Sequence, residues 1–227
     1  MLQTPAEATL VAEIAKFLQA RSAKEPARLL NVGAGASLSI ENQLAARKLT
    51  FICDRLDVNE SETGPRPYAE KSWRASIEHC PQVPSAYYDL AFANYVLEHV
   101  RDLAASAREI SRILAPGGLF ILTTPNPAAP EFRLARYTPL WLHQLIRGQE
   151  NEAFTTFYAY KDITVLEQVF GQAGFSVSRD EYYSFTLGYL HKWPLVNLLA
   201  RGYDYLIKMS GQKNLMGNAV IVFKKIS

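Results

Sequence analysis

Cysteine and histidine are scarce in this chain of 227 residues, which contains two cysteines and four histidines. Cys53 and Cys80 are too few for a disulfide framework or a cysteine-based metal cluster. The formal net charge is only +2 and the charges are interspersed, so no nucleic-acid interface is expected. The longest run without a charged residue, 113–130, holds four prolines and two glycines, which excludes a membrane-spanning helix there.

The beginning of the chain lacks a targeting pattern. The first twenty residues contain acidic residues and no basic start followed by an apolar stretch, so we expect no signal peptide. Together with the low cysteine content, this favours a reducing cytoplasm as the location. Because 48% of the residues are hydrophobic, the chain can bury one sizeable core. We therefore expect a single domain over residues 1–227.

Segments that predict strands alternate with segments of helical periodicity along most of the chain. An amphipathic helix is expected over 6–22, and further helices at about 38–47, 102–115 and 161–174. The predicted strands are 27–32, 49–54, 87–94, 118–124, 175–183 and 218–225. This alternation predicts an α/β sheet with helices on both faces.

The segment LLNVGAGAS (29–37) passes from a buried strand into a turn of very small residues. A strand, a Gly-Ala-Gly turn and a helix bring free backbone N–H groups to the positive end of the helix, which favours an anionic group. A dinucleotide-binding turn would need G-x-G-x-x-G, but position 38 is leucine, so a nicotinamide-dependent reductase is disfavoured. No Gly-Lys-Ser/Thr follows, so a phosphate-binding P-loop is disfavoured too.

Several motifs, in this order, make the chain resemble the class I S-adenosylmethionine-dependent methyltransferases that act on small molecules. They are LLNVGAGAS (29–37), FICD (51–54), ASIEHCP (75–81), YYDLAFANYVLEHVRD (87–102) and LAPGGLFILTTPN (114–126). The resemblance covers residues 28–126 well and 153–182 more loosely. It implies a Rossmann-like doubly wound sheet, mostly parallel with an antiparallel last strand, and S-adenosylmethionine as the methyl donor.

The same resemblance implies which residues hold the cofactor. They are Asn31, Gly33, Ala34 and Gly35 at its methionine end, Asp54 with Arg55 beside it at the ribose, Ser76 and Ile77 at the adenine, and Asn94 and Tyr95 at the sulfonium. A carboxylate that ends the second strand can accept bonds from both ribose hydroxyls, and Asp57 is the alternative to Asp54. The family often carries an acid where Asn31 stands, a glycine at 37 and an aspartate at 76, so these positions depart from its pattern.

His99 is the candidate catalytic residue. It follows the fourth motif's strand, and histidine exchanges protons near neutral pH, so it could remove the proton of an acceptor hydroxyl. The alternative is a structural histidine bonded to a neighbouring backbone carbonyl. In relatives that methylate quinones, an acid that helps to bind a metal stands where this chain has Tyr95. We therefore expect no metal, and quinone substrates are put in doubt.

Two irregular segments, 125–160 and 184–216, are expected to form helical caps that choose the acceptor. The part around 189–210 has cations beside leucines, so it could contact a membrane or a lipid, although a cap helix packed on the domain is favoured. The leading hypothesis is methyl transfer to a small molecule, with O-methylation slightly ahead. The alternative from another class is a partner subunit that binds the cofactor but is catalytically inactive.

Overall fold

A seven-stranded sheet with helices on both faces forms the centre of the computed structural model. The structure describes residues 4–21, 25–59, 67–135, 155–185 and 194–226. The strands are β1 (Ala27–Val32), β2 (Phe51–Asp57), β3 (Ser72–Arg74), β4 (Tyr88–Asn94), β5 (Leu114–Pro125), β6 (Phe175–Tyr183) and β7 (Asn218–Lys225). The helices are α1 (Pro5–Ala20), α2 (Ser39–Ala46), α3 (Leu103–Ile113), α4 (Pro130–Ala135), α5 (Ile163–Gln172) and α6 (Pro194–Ser210), and 3₁₀ turns cover Leu97–His99 and Lys213–Leu215.

The strand order is β3-β2-β1-β4-β5-β7-β6. Strands β1 to β5 pair in parallel, and β7 runs antiparallel between β5 and β6. The order reverses direction between β1 and β4, which are in register with Leu29 opposite Leu90. The predicted doubly wound sheet with an antiparallel last strand is confirmed.

Helix boundaries follow from capping side chains. Thr4, Asp102 and Asp162 precede α1, α3 and α5, and each accepts a hydrogen bond from the backbone N–H three residues later, at 3.1, 2.8 and 2.9 Å. Pro5 lies in the first turn of α1, where its missing N–H costs nothing. The chain turns at Gly174, with φ of +90°, between α5 and β6, where the sequence predicts the helix to close.

The core consists of two layers because alternate residues of a strand point to opposite faces of the sheet. Leu29 packs with α1 and α2 on one face, whereas Leu30 packs on the face that carries α3 and α5. In the second layer, the rings of Phe170 and Phe223 stack with their centroids 4.6 Å apart. Because both faces are covered, the central strands are apolar on both sides.

Three details differ from the sequence-based expectations. Strand β2 continues past Asp54 to Asp57, because the charged residues inside it find buried partners. The short strand β3 was not expected, and it adds to β2 in parallel. Helix α3 ends at Ile113, so Leu114 begins β5 rather than closing the helix.

Only part of the two predicted caps can be described, since residues 136–154 and 186–193 lie outside the described ranges. Helix α4 belongs to the first cap, and α6, which starts at Pro194, belongs to the second. None of the helices in the described part of the chain is both long and apolar enough to span a membrane.

Candidate functional site

A cavity of about 560 Å³ opens at the carboxyl edge of the sheet, within the range of small-molecule sites. In an open parallel sheet, ligands bind at this edge where the strand order reverses, which here is between β1 and β4. The lining residues include Gly33, Gly35 and Ala36 after β1, Leu56 to Asn59 at the end of β2, Ala75 to Glu78 after β3, Tyr95, Val96 and His99 to Arg101 after β4, and Thr155 and Phe157.

The two glycines of the turn after β1 have different reasons to be glycine. Gly33 and Gly35 both have positive φ, +64° and +53°. A Cβ on Gly33 would lie 2.4 Å from a methyl group of Val96, so the protein itself approaches the first glycine. A Cβ on Gly35 would meet no atom within 4 Å, so the space beside the second glycine is open to a ligand.

The N–H groups of the turn are engaged within the protein. Gly33 and Ala34 donate to the carbonyl of Leu56 at 2.8 and 3.3 Å, and Gly35 donates to the Asp57 carboxylate at 3.0 Å. The expectation that the turn leaves its N–H groups free is wrong at these three positions. Because Gly35 has no side chain, it allows a ligand to approach the backbone of the turn closely.

Asp57 is the carboxylate that ends β2 at the cavity. One oxygen accepts from Gly35 N–H, and the other accepts from the N–H of Asn59 at 2.9 Å. A carboxylate offers about four acceptor positions, so further bonds to a ligand are possible. The alternative that the sequence left open, Asp57 rather than Asp54, is the one that lines the cavity.

Asp54 does not fit the role expected for it. Its side chain is 0% exposed and is absent from the cavity wall. It accepts from the N–H groups of Glu70 and Lys71 at 3.0 and 2.8 Å, and from the Tyr88 hydroxyl at 2.9 Å. Asp54 therefore ties the segment before β3 and the start of β4 to the middle of β2.

Arg55 supports the glycine turn from inside the protein rather than contacting the cavity. Its guanidinium Nη2 donates to the backbone carbonyls of Ala34, Gly35 and Ser37 at 2.7, 2.8 and 3.0 Å. The side chain is buried and does not line the cavity, whereas the sequence expected it at the cofactor; its contacts are with the turn instead. Ala34 is also buried, behind the cavity wall.

Asn31 and Glu41 complete this buried network. Glu41, in the first turn of α2, pairs with Arg55 Nη1 and accepts from the Asn31 amide at 2.9 Å. Both Asn31 and Glu41 are buried and neither lines the cavity, so the structure places Asn31 outside the cavity wall, although the sequence expected it there. The Glu41 carboxylate from α2 therefore lies beside Asn31, the position where the family often carries an acidic residue. Sequence reasoning missed Glu41, because only its position early in the helix marked it.

The third motif lies beside the cavity as expected, with Ser76 and Ile77 in its wall. Ser76 is held by Glu78, whose N–H donates to the Ser76 hydroxyl at 3.2 Å. Glu78 itself also lines the cavity. Its carboxylate accepts from the N–H groups of Arg101 and Asp102 at 2.7 and 2.6 Å, and so joins this motif to the start of α3.

At the end of β4, one residue of the fourth motif lines the cavity and its neighbour does not. Tyr95 lines the cavity with a φ of +56°, which is rare for a residue other than glycine and typical of functional turns. Its N–H donates to Thr123 Oγ1 at 3.1 Å, and its hydroxyl donates to Asn218 at 3.0 Å. Asn94 is not in the cavity wall, and its amide oxygen accepts from Thr123 at 2.6 Å. The expected contact of Asn94 is therefore corrected.

His99 lines the cavity, and its Nδ1 lies 3.1 Å from the Thr155 carbonyl oxygen. The ring is bonded to a backbone carbonyl, as the structural alternative expected, and it also reaches the cavity wall; the catalytic role stays a prediction. A donor at Nδ1 makes Nε2 the basic nitrogen of the ring. The neighbouring Glu98 is buried, which raises the pKa of its carboxyl to about 8, and its Oε2 has no hydrogen-bond partner among the described residues.

Comparisons with known proteins identify the family to which the chain is similar. The family model described as "Methyltransferase domain" matches residues 6–179. Ubiquinone biosynthesis O-methyltransferases are 29% identical over 152 residues in Caulobacter sp. strain K31 and 26% identical over 156 residues in Bradyrhizobium sp. strain ORS 278. The matched regions are 59% and 62% of this chain, and this chain spans only 59% and 60% of the length of those relatives.

Solved structures share the fold at low sequence identity. The cyclopropane synthase MmaA2 from Mycobacterium tuberculosis has a TM-score of 0.61 at 15% identity, covering 97% of this chain and 84% of that chain. An S-adenosylmethionine-dependent methyltransferase from Mesorhizobium loti has a TM-score of 0.55 at 15% identity, covering 94% and 99%.

Proposed function

Because the chain belongs to the class I S-adenosylmethionine-dependent methyltransferase family, we propose that it transfers a methyl group from S-adenosylmethionine to an oxygen of a small-molecule acceptor. The observation that carries the proposal is the cavity at the carboxyl edge, where Gly35 and Asp57 are linked by a 3.0 Å hydrogen bond. The turn and the carboxylate are thereby held as one unit.

The residues at this edge fit the cofactor. We assign the open space beside Gly35 to the methionine end, and we assign to Asp57, which lines the cavity, the bonds from the ribose hydroxyls. Ser76 and the backbone at Ile77 line the part of the cavity that we assign to the adenine. The sulfonium of the bound cofactor supplies an activated methyl group, so the protein mainly has to position the acceptor in line with it.

His99 is proposed as the general base. Its bond to the Thr155 carbonyl holds the ring at the cavity wall, with Nε2 as the nitrogen that can take a proton from an acceptor hydroxyl. Removal of that proton typically contributes a factor of about 10²–10⁴ to the rate. We propose that no metal takes part, because Tyr95 stands where the resemblance expects a metal-binding acid.

The names of the curated relatives support an oxygen acceptor, but they do not identify it, since the chain matches only about 60% of their length. Specificity lies in segments grafted onto the sheet, which here are the two caps. A cytoplasmic location and a single domain also stay predictions.

The test is an incubation of the protein with an isotopically labelled methyl donor and a metabolite pool, with mass detection of labelled products. We expect one class of labelled small molecule, and we expect His99→Gln to lower its formation without a matching loss of cofactor affinity. Cofactor binding with no labelled product from any pool would favour the alternative, a catalytically inactive partner subunit.

A further inference from the structure

Helix α6 carries an apolar stripe that faces away from the protein. Its members are Leu198, Tyr205, Leu206 and Met209, which are 74, 64, 67 and 68% exposed. Their spacing places them on one side of the helix, whereas Ala200 and Ile207 on the opposite side are buried. The packed side therefore attaches α6 to the domain, and Leu206 points outward.

The charges next to this stripe have one sign. At 100° per residue, Arg201 and Lys208 fall along one edge of the stripe, between it and the buried side, and both are exposed. Asp204 is half-buried and accepts a hydrogen bond from the Ser184 hydroxyl at 2.6 Å. Among the described residues of α6, the exposed charges are thus both positive.

We propose that this stripe docks on the surface of a membrane that contains anionic lipids. An apolar stripe with basic residues at its edge is the pattern of a helix lying in the plane of a bilayer interface. The long side chains of Arg201 and Lys208 can extend to lipid phosphates while the apolar residues enter the acyl boundary.

The size of the stripe favours a membrane over a second copy of the chain. From Leu198 to Met209 the helix rises only about 17 Å, and the described residues of the stripe offer four side chains. A stable protein interface buries about 800 Å² and about 20–30 residues on each partner, which is much more. The proposal does not depend on which acceptor the enzyme methylates.

Co-sedimentation with vesicles tests the proposal on the full chain. We expect the protein to pellet with vesicles of phosphatidylcholine mixed with phosphatidylglycerol, and to pellet less with phosphatidylcholine alone or at high salt. Leu206→Glu should weaken the binding about tenfold or more, the loss expected when one leucine leaves the apolar phase. The matched control is Ile226→Glu, because Ile226 is 65% exposed outside α6, and it should bind like the wild type.

A second variant tests the contribution of the two basic residues separately from that of the apolar stripe. The double substitution Arg201→Gln and Lys208→Gln should lower binding to the anionic vesicles about tenfold or more and leave the weak binding to phosphatidylcholine unchanged. Unfolding midpoints of all variants, measured by circular dichroism, check that the fold is intact.

Wild-type protein that fails to pellet with anionic vesicles would overturn the proposal, as would equal binding by Leu206→Glu and the wild type. A concentration-dependent dimer that sediments in the ultracentrifuge and is lost in Leu206→Glu, without vesicle binding, would assign the stripe to a second copy of the chain instead.

Discussion

The buried pair of Arg55 and Glu41 gives a quantitative prediction about the glycine turn. Replacing Arg55 with methionine removes the donors to three turn carbonyls and leaves Glu41 buried with only the amide of Asn31 at 2.9 Å. One Glu41 oxygen already lacks a hydrogen-bond partner among the described residues. Removing one member of a buried ion pair typically costs about 3–5 kcal/mol, and we expect a loss of this size for Arg55→Met.

The double variant Arg55→Met with Glu41→Leu separates the pair from the turn. Replacing both charges by apolar groups is often close to neutral, so most of the loss in the free energy of unfolding should be recovered. The cofactor affinity should not recover, because the carbonyls of Ala34 and Gly35 still lack their donor. Urea unfolding of the wild type, both single variants and the double variant measures the coupling, and calorimetry with S-adenosylmethionine measures the affinity.

Two results would refute this reasoning. An Arg55→Met variant within about 1 kcal/mol of the wild type would mean that the buried pair is not what holds the turn. A double variant with wild-type cofactor affinity would mean that the turn keeps its shape without Arg55.

Three further predictions concern residues in the cavity wall or next to it in sequence. Gly33→Ala should destabilise the fold by about 1–2 kcal/mol because of the positive φ alone, and the clash of the new Cβ with Val96 should add to this loss. Thermal unfolding of the double variant with Val96→Ala should show that part of the lost stability returns. Burial raises the pKa of the Glu98 carboxyl from 4.5 to about 8. Between these two pH values the native state binds more protons than the unfolded state, so the free energy of unfolding falls as the pH rises. Urea unfolding at pH 5 and 7 should show that Glu98→Gln removes about 2.5 kcal/mol of that fall, and an unchanged pH slope would contradict the assignment. His99→Gln should lower kcat about 10²–10⁴-fold, and a wild-type kcat would exclude His99 as the base.

The sheet could be predicted from the sequence because local signals agree with the global fold. The strands β1, β6 and β7 have the predicted bounds. The capping residues Asp102 and Asp162 are polar residues that directly precede segments with helical apolar periodicity. The antiparallel last strand came from the family resemblance rather than from any local pattern.

The end of β2 could not be predicted, for a physical reason. A buried charge is costly unless it is paired, so a charged residue after an apolar run indicates that the strand has ended. Asp54 is instead bonded to Tyr88, which is distant in sequence, and Arg55 to the turn carbonyls and Glu41. Only the folded chain brings these partners together, so the carboxylate at the cavity lies three residues later, at Asp57.

The same limit applies to the site as a whole. Gly33, Gly35, Ser76, Ile77, Tyr95 and His99 were expected at the site and do line the cavity. The side chains of Asn31, Arg55 and Asn94 were also expected there, but each is used by a neighbouring buried group. A motif therefore locates the loop, whereas the direction of each side chain depends on its partners.

The affinity of the Asp57→Asn variant for S-adenosylmethionine, measured by calorimetry, tests the central claim most directly. Loss of the charged acceptor should weaken binding about tenfold or more, since bonds to charged groups contribute about 1.5–3 kcal/mol. Asp89→Asn is the control, because Asp89 lies near the amino end of β4, where it accepts from the Arg28 N–H at 2.9 Å, and this variant should bind like the wild type. Equal affinity in Asp57→Asn and the wild type would contradict the claim that Asp57 holds the ribose of the cofactor.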